Sequence, residues 1–501
     1  MVNPLSADNL DAITTAAHPA YDRAALTPGI LHFGVGNFHR AHQAVYLDDL
    51  FATGTGHDWA LFGASVRETD AAIREKLMAQ DWLTTVVEQE AETGSARITG
   101  AMIDYLPPGD TQAIIATLAD PAIRIVSLTI TEGGYYIDPA SQRFNPAHPD
   151  IVHDAAHPEV PRTVFGLILA GLLRRRAAGI VPFTVMSCDN IVGNGHVTRN
   201  AVVGLARLLD PALADWVEAE VAFPNGMVDR ITPATSEREK TLLAEEFGIA
   251  DNWPVFCESF RQWVLEDNFP AGRPELERVG VQFVDDVAPY ELMKLRILNG
   301  GHAAIAYPAG LLDIEFVHEA MGHPLVSGFL AKLAREEIIP VVPPVPHTDL
   351  GDYFALCARR FANPKIADTI RRLALDGSNR QPKFIIPTAL DRVQRQQSAN
   401  GLSLVSALWC RYCYGISDSG AVIAPNDPNW DRLTAQARRA KADPAAWLEM
   451  TDIYGDLAHQ PAFAGAFAHA LATLWDIGTA ATLERYLADA LQPVAKGPTF
   501  G

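Results

Sequence analysis

Between residues 28 and 190 the chain alternates short apolar runs with longer segments of helical spacing. Gly29-Ile30-Leu31-His32-Phe33, Trp59 to Val66, Arg124 to Ile130 and Val181 to Ser187 are runs of strand length, each closed by glycine or polar residues. Near-continuous apolar strands belong to sheets covered on both faces. Between the last two lies Thr163 to Ala178, an amphipathic helix. Strand alternating with helix predicts a mainly parallel sheet, hence an α/β domain. Gly280 to Val284 is one more strand-like run, ending at the acidic turn Asp285-Asp286. After Gly310 strand signals fade. Amphipathic helices dominate at 316–321, 330–338, 366–375, 402–413, 445–454 and 463–491, and Pro340, Pro343, Pro344 and Pro346 separate two of them. The pattern predicts an α/β domain over 1–284 and a mainly α-helical domain over 285–501.

The first strand runs into Gly34-Val35-Gly36-Asn37-Phe38-His39-Arg40 and then a helical pattern. Strand, glycine turn and helix form the context of a dinucleotide-binding turn. The first glycine permits the turn, and the second lets the backbone approach a pyrophosphate at the helix start. The usual third glycine is absent, and His39 stands there. The second strand ends at Arg67-Glu68-Thr69-Asp70. An acidic residue here binds the adenosine ribose hydroxyls, so Asp70 or Glu68 favours NAD, while Arg67 leaves room for a 2′-phosphate. Asp70 can equally cap the next helix.

The densest chemistry is Lys294-Leu295-Arg296-Ile297-Leu298-Asn299-Gly300-Gly301-His302. An α-helix here puts Asn299 about 140° and His302 about 80° round the axis from Lys294, on one broad face. An amine, an amide and an imidazole converging on one point suit removal of a proton from an alcohol.

Composition narrows the field. The 501 residues are 48% hydrophobic and 20% charged, with a formal net charge of −20. That balance fits a folded globular chain and disfavours nucleic-acid partners, which meet clustered Lys and Arg. Arg174-Arg175-Arg176 ends a helix and reads as a C-terminal charge placement. The most apolar stretch, Val164 to Leu173, is too short to span a membrane, and no basic-then-apolar signal opens the chain. Five scattered cysteines, with one lone Cys410-Arg411-Tyr412-Cys413, give neither a disulfide framework nor a zinc ribbon. The HxxH of His39 and His42 has no third ligand at a matching offset, and no metal is expected. These features point to a cytoplasmic protein.

An ordered set of motifs adds to this reading. It comprises Gly34 to Gln43, Thr129-Ile130-Thr131-Glu132-Gly133-Gly134-Tyr135, Ser187-Cys188-Asp189-Asn190 with Asn194-Gly195, and Phe223-Pro224-Asn225 with Met227-Val228-Asp229-Arg230. Lys294, Leu298-Asn299-Gly300, His302 and Asp376-Gly377-Ser378 follow. Together they resemble the mannitol dehydrogenase family, the polyol-specific long-chain dehydrogenases. The resemblance implies an N-terminal Rossmann-type domain, a helical C-terminal domain and a substrate cleft between them. It implies metal-independent, NAD-dependent oxidation of a sugar alcohol to its ketose, with mannitol and fructose the expected pair. By the same resemblance Lys294 is the general base, Asn190 and Asn299 hold the reacting oxygen, and His302 completes the set. Asp229, Arg372 and Arg380 contact substrate. Glu291 and Glu132 are candidate proton conduits. Gly34, Gly36, Asn37, Phe38, Arg67 and Asp70 serve the cofactor. The family position matching Arg380 can be lysine, and Gly301 replaces a small polar residue of close relatives; both bear on which polyol is preferred.

Rival readings stay open on sequence alone. A hexuronate oxidoreductase of the fructuronate or altronate type would want a further fixed cation beside Arg372 and Arg380, and none is identifiable. An arabinitol dehydrogenase fits the same residues. A phosphorylated polyol would want a basic phosphate pocket. A nucleotide sensor would bind NAD and turn nothing over. Tyr290-x-x-x-Lys294 has the spacing of a short-chain dehydrogenase, but those enzymes carry no long helical domain after it. The expected assembly is a monomer or small homo-oligomer.

Overall fold

The computed structural model describes residues 2–138 and 143–491, which form two compact units, Met1–Ala288 and Pro289–Gly501. The first unit is built on five parallel strands: β1 (Pro28–Phe33), β2 (Ala60–Ala64), β3 (Met102–Tyr105), β4 (Ile125–Leu128) and β5 (Thr184–Ser187). Their order across the sheet is β3-β2-β1-β4-β5. This is the dinucleotide-binding order, and the chain reverses direction of winding between β1 and β4, where such sheets bind ligands.

Strand periodicity divides the side chains. Leu31 and Phe33 of β1, with Val126 and Leu128 of β4, face a core closed by Phe165, Ile168 and Leu172 of the helix Val164–Ala178. Ile30 and Ile125 face the opposite core, with Tyr46, Leu47, Leu50 and Phe51 of the helix Gln43–Ala52. Burial on both faces is why these strands read as unbroken apolar runs. Helix Val164–Ala178 starts where Thr163 Oγ1 accepts from Gly166 N (2.9 Å) and stops at Gly179, φ 67°.

The unit holds two further three-stranded sheets. One joins Val255–Glu258, Thr84–Gln89 and Gly94–Thr99; the other joins Gln282–Val284, Gln262–Glu266 and Gly226–Asp229. Sequence pattern foresees neither the hairpin at 84–99 nor its pairing with 255–258. His148 accepts from Asp150 N and caps the short helix Pro149–Ala156.

Among its described residues the second unit is helical, with no extended strand. Asn400–Cys413 is buried along its whole length and packs against the long helix Pro461–Leu487. The segment expected as one helix over 445–454 is split into Ala445–Leu448 and Thr451–Tyr454, and 463–491 bends at Gly478, φ 78°. All five cysteines are free and buried, and burial pushes the Cys410 and Cys413 thiols well up. Among the described residues no helix is long and apolar enough to cross a membrane, and no cluster of three His, Cys, Asp or Glu side chains could hold a metal ion.

Candidate active site

The glycine turn leaves β1 at the point where the sheet changes winding direction. Gly34 has φ 93°, and a Cβ there would lie 2.0 Å from the Thr129 carbonyl oxygen, which leaves β4 next door. Only glycine fits, for both reasons. Gly36 is different. Its φ is −105°, open to any residue, and a Cβ would meet nothing closer than the Gly34 carbonyl oxygen at 3.8 Å. The fold itself does not demand glycine at 36, and the space over its Cα is open. The turn therefore fits a dinucleotide pyrophosphate.

The two glycines give a paired prediction. Gly34→Ala should destabilise the first unit by about 3 kcal/mol, from overpacking and backbone strain together. Gly36→Ala should leave the denaturation midpoint nearly unchanged yet raise the NAD dissociation constant about tenfold or more. Equal stability losses in the two variants would refute the distinction.

Below the turn lies a buried polar layer. His32 and Ser127 occupy the alternate positions of β1 and β4 and point toward the helix that carries Gln43. His32 hydrogen-bonds Ser127 Oγ through Nδ1 (2.8 Å) and Thr129 Oγ1 through Nε2 (2.9 Å). Its ring stacks on His39 at 3.5 Å, and His39 bonds Gln43 Oε1 (3.2 Å). His42 stacks on Phe38 and bonds the Gln262 carbonyl oxygen (3.0 Å). Burial drives all three imidazoles down, His32 and His42 to about 3. The HxxH histidines thus serve separate partners. Asn37 donates to Pro233 O (3.3 Å) and accepts from Arg40 (2.7 Å), tying the start of its helix to the loop before Ser236.

At the end of β2, Asp70 is 8% exposed and accepts from Ser65 Oγ, with Arg67 Nε at 3.5 Å. Its side chain makes no cap bond to the helix Ala71–Met78. Glu68 is exposed. At the ends of β4 and β5 the structure brings Glu132 and Asn190 onto neighbouring loops, both exposed. The joint is Asp189. Its carboxylate accepts from Ile130 N (2.9 Å), Thr131 N (3.0 Å) and Tyr135 Oη (2.6 Å). Burial raises the Asp189 carboxyl above its ordinary value against the pull of these donors. Asp229 ends the strand Gly226–Asp229, opposite Gln262, and is buried.

The expected α-helix over 294–302 needs correction. Lys294–Asn299 is a π-helix, continued as α-helix from Gly300 to Leu311. Gly300 N donates to Leu295 O, five residues back. Each residue of such a turn advances roughly 80° rather than 100°. Asn299 then lies about 40° from Lys294, not 140°, and His302, three α-helical residues on, about 20° to the other side. On these ideal steps amine, amide and imidazole fall within about 60° of one another round the axis. Arg296, on a different side, anchors the segment by donating to Val341 O (2.7 Å) and to Asp391. Lys294 is 7% exposed; Asn299 and Glu291 are half-buried. Tyr290 turns its hydroxyl to Pro346 O (3.4 Å).

His302 stacks on Phe361 with ring centroids 4.0 Å apart. Burial, then Arg372, Arg380 and Arg360, hold its pKa well below the usual value, so the ring is neutral. Arg372 makes a two-pronged ion pair with Asp368, which raises its pKa. Arg380 donates to Leu373 O (2.7 Å), and burial lowers its pKa. Asp376, at φ 59°, opens the helix Gly377–Phe384. A Cβ at Gly377 would strike Trp409 Nε1 at 2.7 Å and Tyr307 Oη at 2.8 Å. Within the second unit the structure therefore gathers His302, Arg372 and Arg380, and adds Arg360 and Phe361, which no sequence motif marks.

The Rossmann-domain profile of the mannitol dehydrogenases matches residues 28–278, and their C-terminal domain profile matches 286–475. The chain belongs to the mannitol dehydrogenase family. Mannitol 2-dehydrogenase of Cereibacter sphaeroides is 63% identical over 475 residues, covering 95% of this chain and 99% of its own. That of Aspergillus fumigatus is 42% identical over 496 residues, covering 96% and 99%. Among solved structures, Pseudomonas fluorescens mannitol 2-dehydrogenase in ternary complex with NAD and D-mannitol is 43% identical, with a TM-score of 0.85 over 97% of this chain and 100% of that one. A substrate-free D-sorbitol dehydrogenase is 33% identical, with a TM-score of 0.89 over 96% and 100%. The α/β domain and following helical domain read from hydrophobic pattern, and the Rossmann-type fold that the resemblance implies for the first, are the architecture of this mannitol dehydrogenase family member.

Proposed function

We propose that this chain is an NAD-dependent, metal-independent polyol dehydrogenase that interconverts mannitol and fructose. The observation that carries the reading is the π-helical alignment of Lys294, Asn299 and His302 in a chain 63% identical to a mannitol 2-dehydrogenase. The roles carried over from the family make the side-chain amides of Asn190 and Asn299 the donors to the substrate oxygen as negative charge develops. The Lys294 amine, in its neutral form, takes the hydroxyl proton. NAD, when bound, accepts the hydride from the same carbon, leaving the ketose carbonyl. In reverse, the protonated amine returns the proton to the carbonyl oxygen. Neutral His302 donates one N–H and accepts at the other nitrogen, which suits a neighbouring polyol hydroxyl. Asp229, Arg372 and Arg380 bind the remaining hydroxyls. Glu291 and Glu132 carry the proton onward. Gly34, Gly36, Asn37 and Phe38 hold the pyrophosphate end of the cofactor, and Asp70 with Arg67 the adenosine ribose.

The test is reduction of NAD by the purified protein against mannitol, sorbitol, arabinitol, xylitol and aldonates. Mannitol should give the highest kcat/KM, NADP should serve less well, and chelator should change nothing. Turnover of no polyol by a protein that binds NAD would point to a sensor instead. A sugar-acid substrate is the second reading. Arg360, one of the cations acting on His302, supplies the additional charge such a substrate wants, and preference for an aldonate in the panel would select it. We further propose a functional boundary at residue 285, a cytoplasmic setting suited to five free buried thiols, and a monomer or small homo-oligomer.

A further inference from the structure

We propose that Asp189 is a positioning residue for hydride transfer: its carboxylate sets the loop carrying Glu132 against Asn190. The inference rests on the dehydrogenase reading above. Asp189 leaves β5 one residue before Asn190, while Ile130, Thr131 and Tyr135 belong to the segment that leaves β4 and carries Glu132. One carboxylate joins the two strand ends through two backbone N–H groups and one phenol. The network is closed behind it. The Asp189 carboxylate can only accept, so Tyr135 gives it its one proton, and the Ser187 hydroxyl, 2.6 Å from Tyr135 Oη, donates to the phenol while accepting from Asp189 N at 3.3 Å.

The loop needs this clamp. Thr131 has φ 63° and ψ 164°, a conformation that a β-branched residue adopts only under constraint and that glycine adopts freely. Its own N–H is one of the three donors to Asp189. The bond therefore holds the chain in the strained conformation from which Glu132 is presented to solvent, on the loop next to the one that carries Asn190. Released, Thr131 would return to an ordinary basin, swinging Glu132 and loosening the support under Asn190. A displacement near 1 Å at a reacting group costs roughly a hundredfold in rate.

Asp189→Asn keeps the shape and reverses one half of the acceptor. It should lower kcat for mannitol oxidation about tenfold or more while the NAD dissociation constant stays within about threefold. Adding Thr131→Gly, which removes the conformational penalty, should recover at least about threefold of that loss. A residue that only stabilised the fold would lower the melting temperature, and glycine at 131 would not restore kcat. Should Asp189→Asn fail to fold, Tyr135→Phe removes a single donor and should lower kcat by about threefold or more with NAD binding intact. Normal kcat in Asp189→Asn, a loss that Thr131→Gly leaves untouched, or normal kcat in Tyr135→Phe overturns the inference. Wild-type protein that oxidises no polyol fails the parent reading instead, so the two failures are distinguishable.

Discussion

Lys294→Ala should reduce kcat for polyol oxidation by about a thousandfold or more, the range for losing a general base and its oriented contact. NAD binding, which the proposal assigns to the glycine turn, should be unchanged. The size of the effect follows from placement. Lys294 is 7% exposed on a π-turn, which by ideal geometry brings Asn299 to about 40° from it round the axis. A water entering the space left by the amine has no preset geometry toward the substrate hydroxyl. Steady-state rates for wild type and variant, with reduced-nicotinamide fluorescence titrations to confirm binding, decide the matter. Turnover within about tenfold of wild type would remove Lys294 from the mechanism and with it the role given to the π-turn.

Mild acid should unfold the first unit well before the second. His32, His39 and His42 are buried, neutral and depressed far below 6.5 in the folded chain. Once unfolded, each titrates near about 6.5. Below that pH the unfolded unit binds protons that the folded unit refuses, so stability is intact above about pH 6.5 and is lost as pH falls toward about 3. Each histidine contributes about 1.4 kcal/mol per pH unit, and the three together about 4 kcal/mol per unit, from which the raised Asp189 carboxyl of the same unit, acting in the opposite sense, takes back part. The second unit carries opposing groups. His302 acts in the same sense, being depressed by burial and three arginines. Glu337 acts the other way: burial raises its carboxyl to about 7 although it accepts from Gly401 N (2.7 Å) and Leu402 N (2.9 Å). A raised carboxyl gives stability that is present below the unfolded value and fades as pH rises through about 7, so it offsets His302. Calorimetry between pH 7.5 and 5, with hydrogen exchange to assign each transition, should show the transition of residues 2–288 falling steeply and that of 289–491 nearly level. Parallel shifts of the two would sink the account, and His32→Phe should flatten the steeper slope by about one proton.

Much of the fold was legible because burial on two faces leaves a local mark. The runs beginning at Gly29, Trp59, Arg124 and Val181 became β1, β2, β4 and β5 within a few residues, and Thr163 and Gly179 bounded their helix as capping chemistry requires. The turn at Gly34 was equally visible, since left-handed backbone is written in glycine. The family likewise followed from motifs set in order along the chain. The chain alone therefore settled which segments can be buried, where they turn, and which side chains carry chemistry.

Tertiary structure decided how those side chains meet. No periodicity distinguishes a π-turn from an α-helix over six residues, and the wider turn comes with Arg296 anchored to Val341 and Asp391, far along the chain. Asp189 reads as an ordinary strand-end acid until β5 lies beside β4 and its carboxylate reaches Ile130 and Thr131, nearly sixty residues earlier. His32 looks apolar by position and proves to be the centre of a polar layer, because Ser127 reaches it, and Gln43 reaches Ser127, only once the sheet and its helix are packed. Local sequence sets backbone preference and solvent preference. Hydrogen-bond partners far apart in the chain are set by strand register and helix packing, which many distant residues determine together.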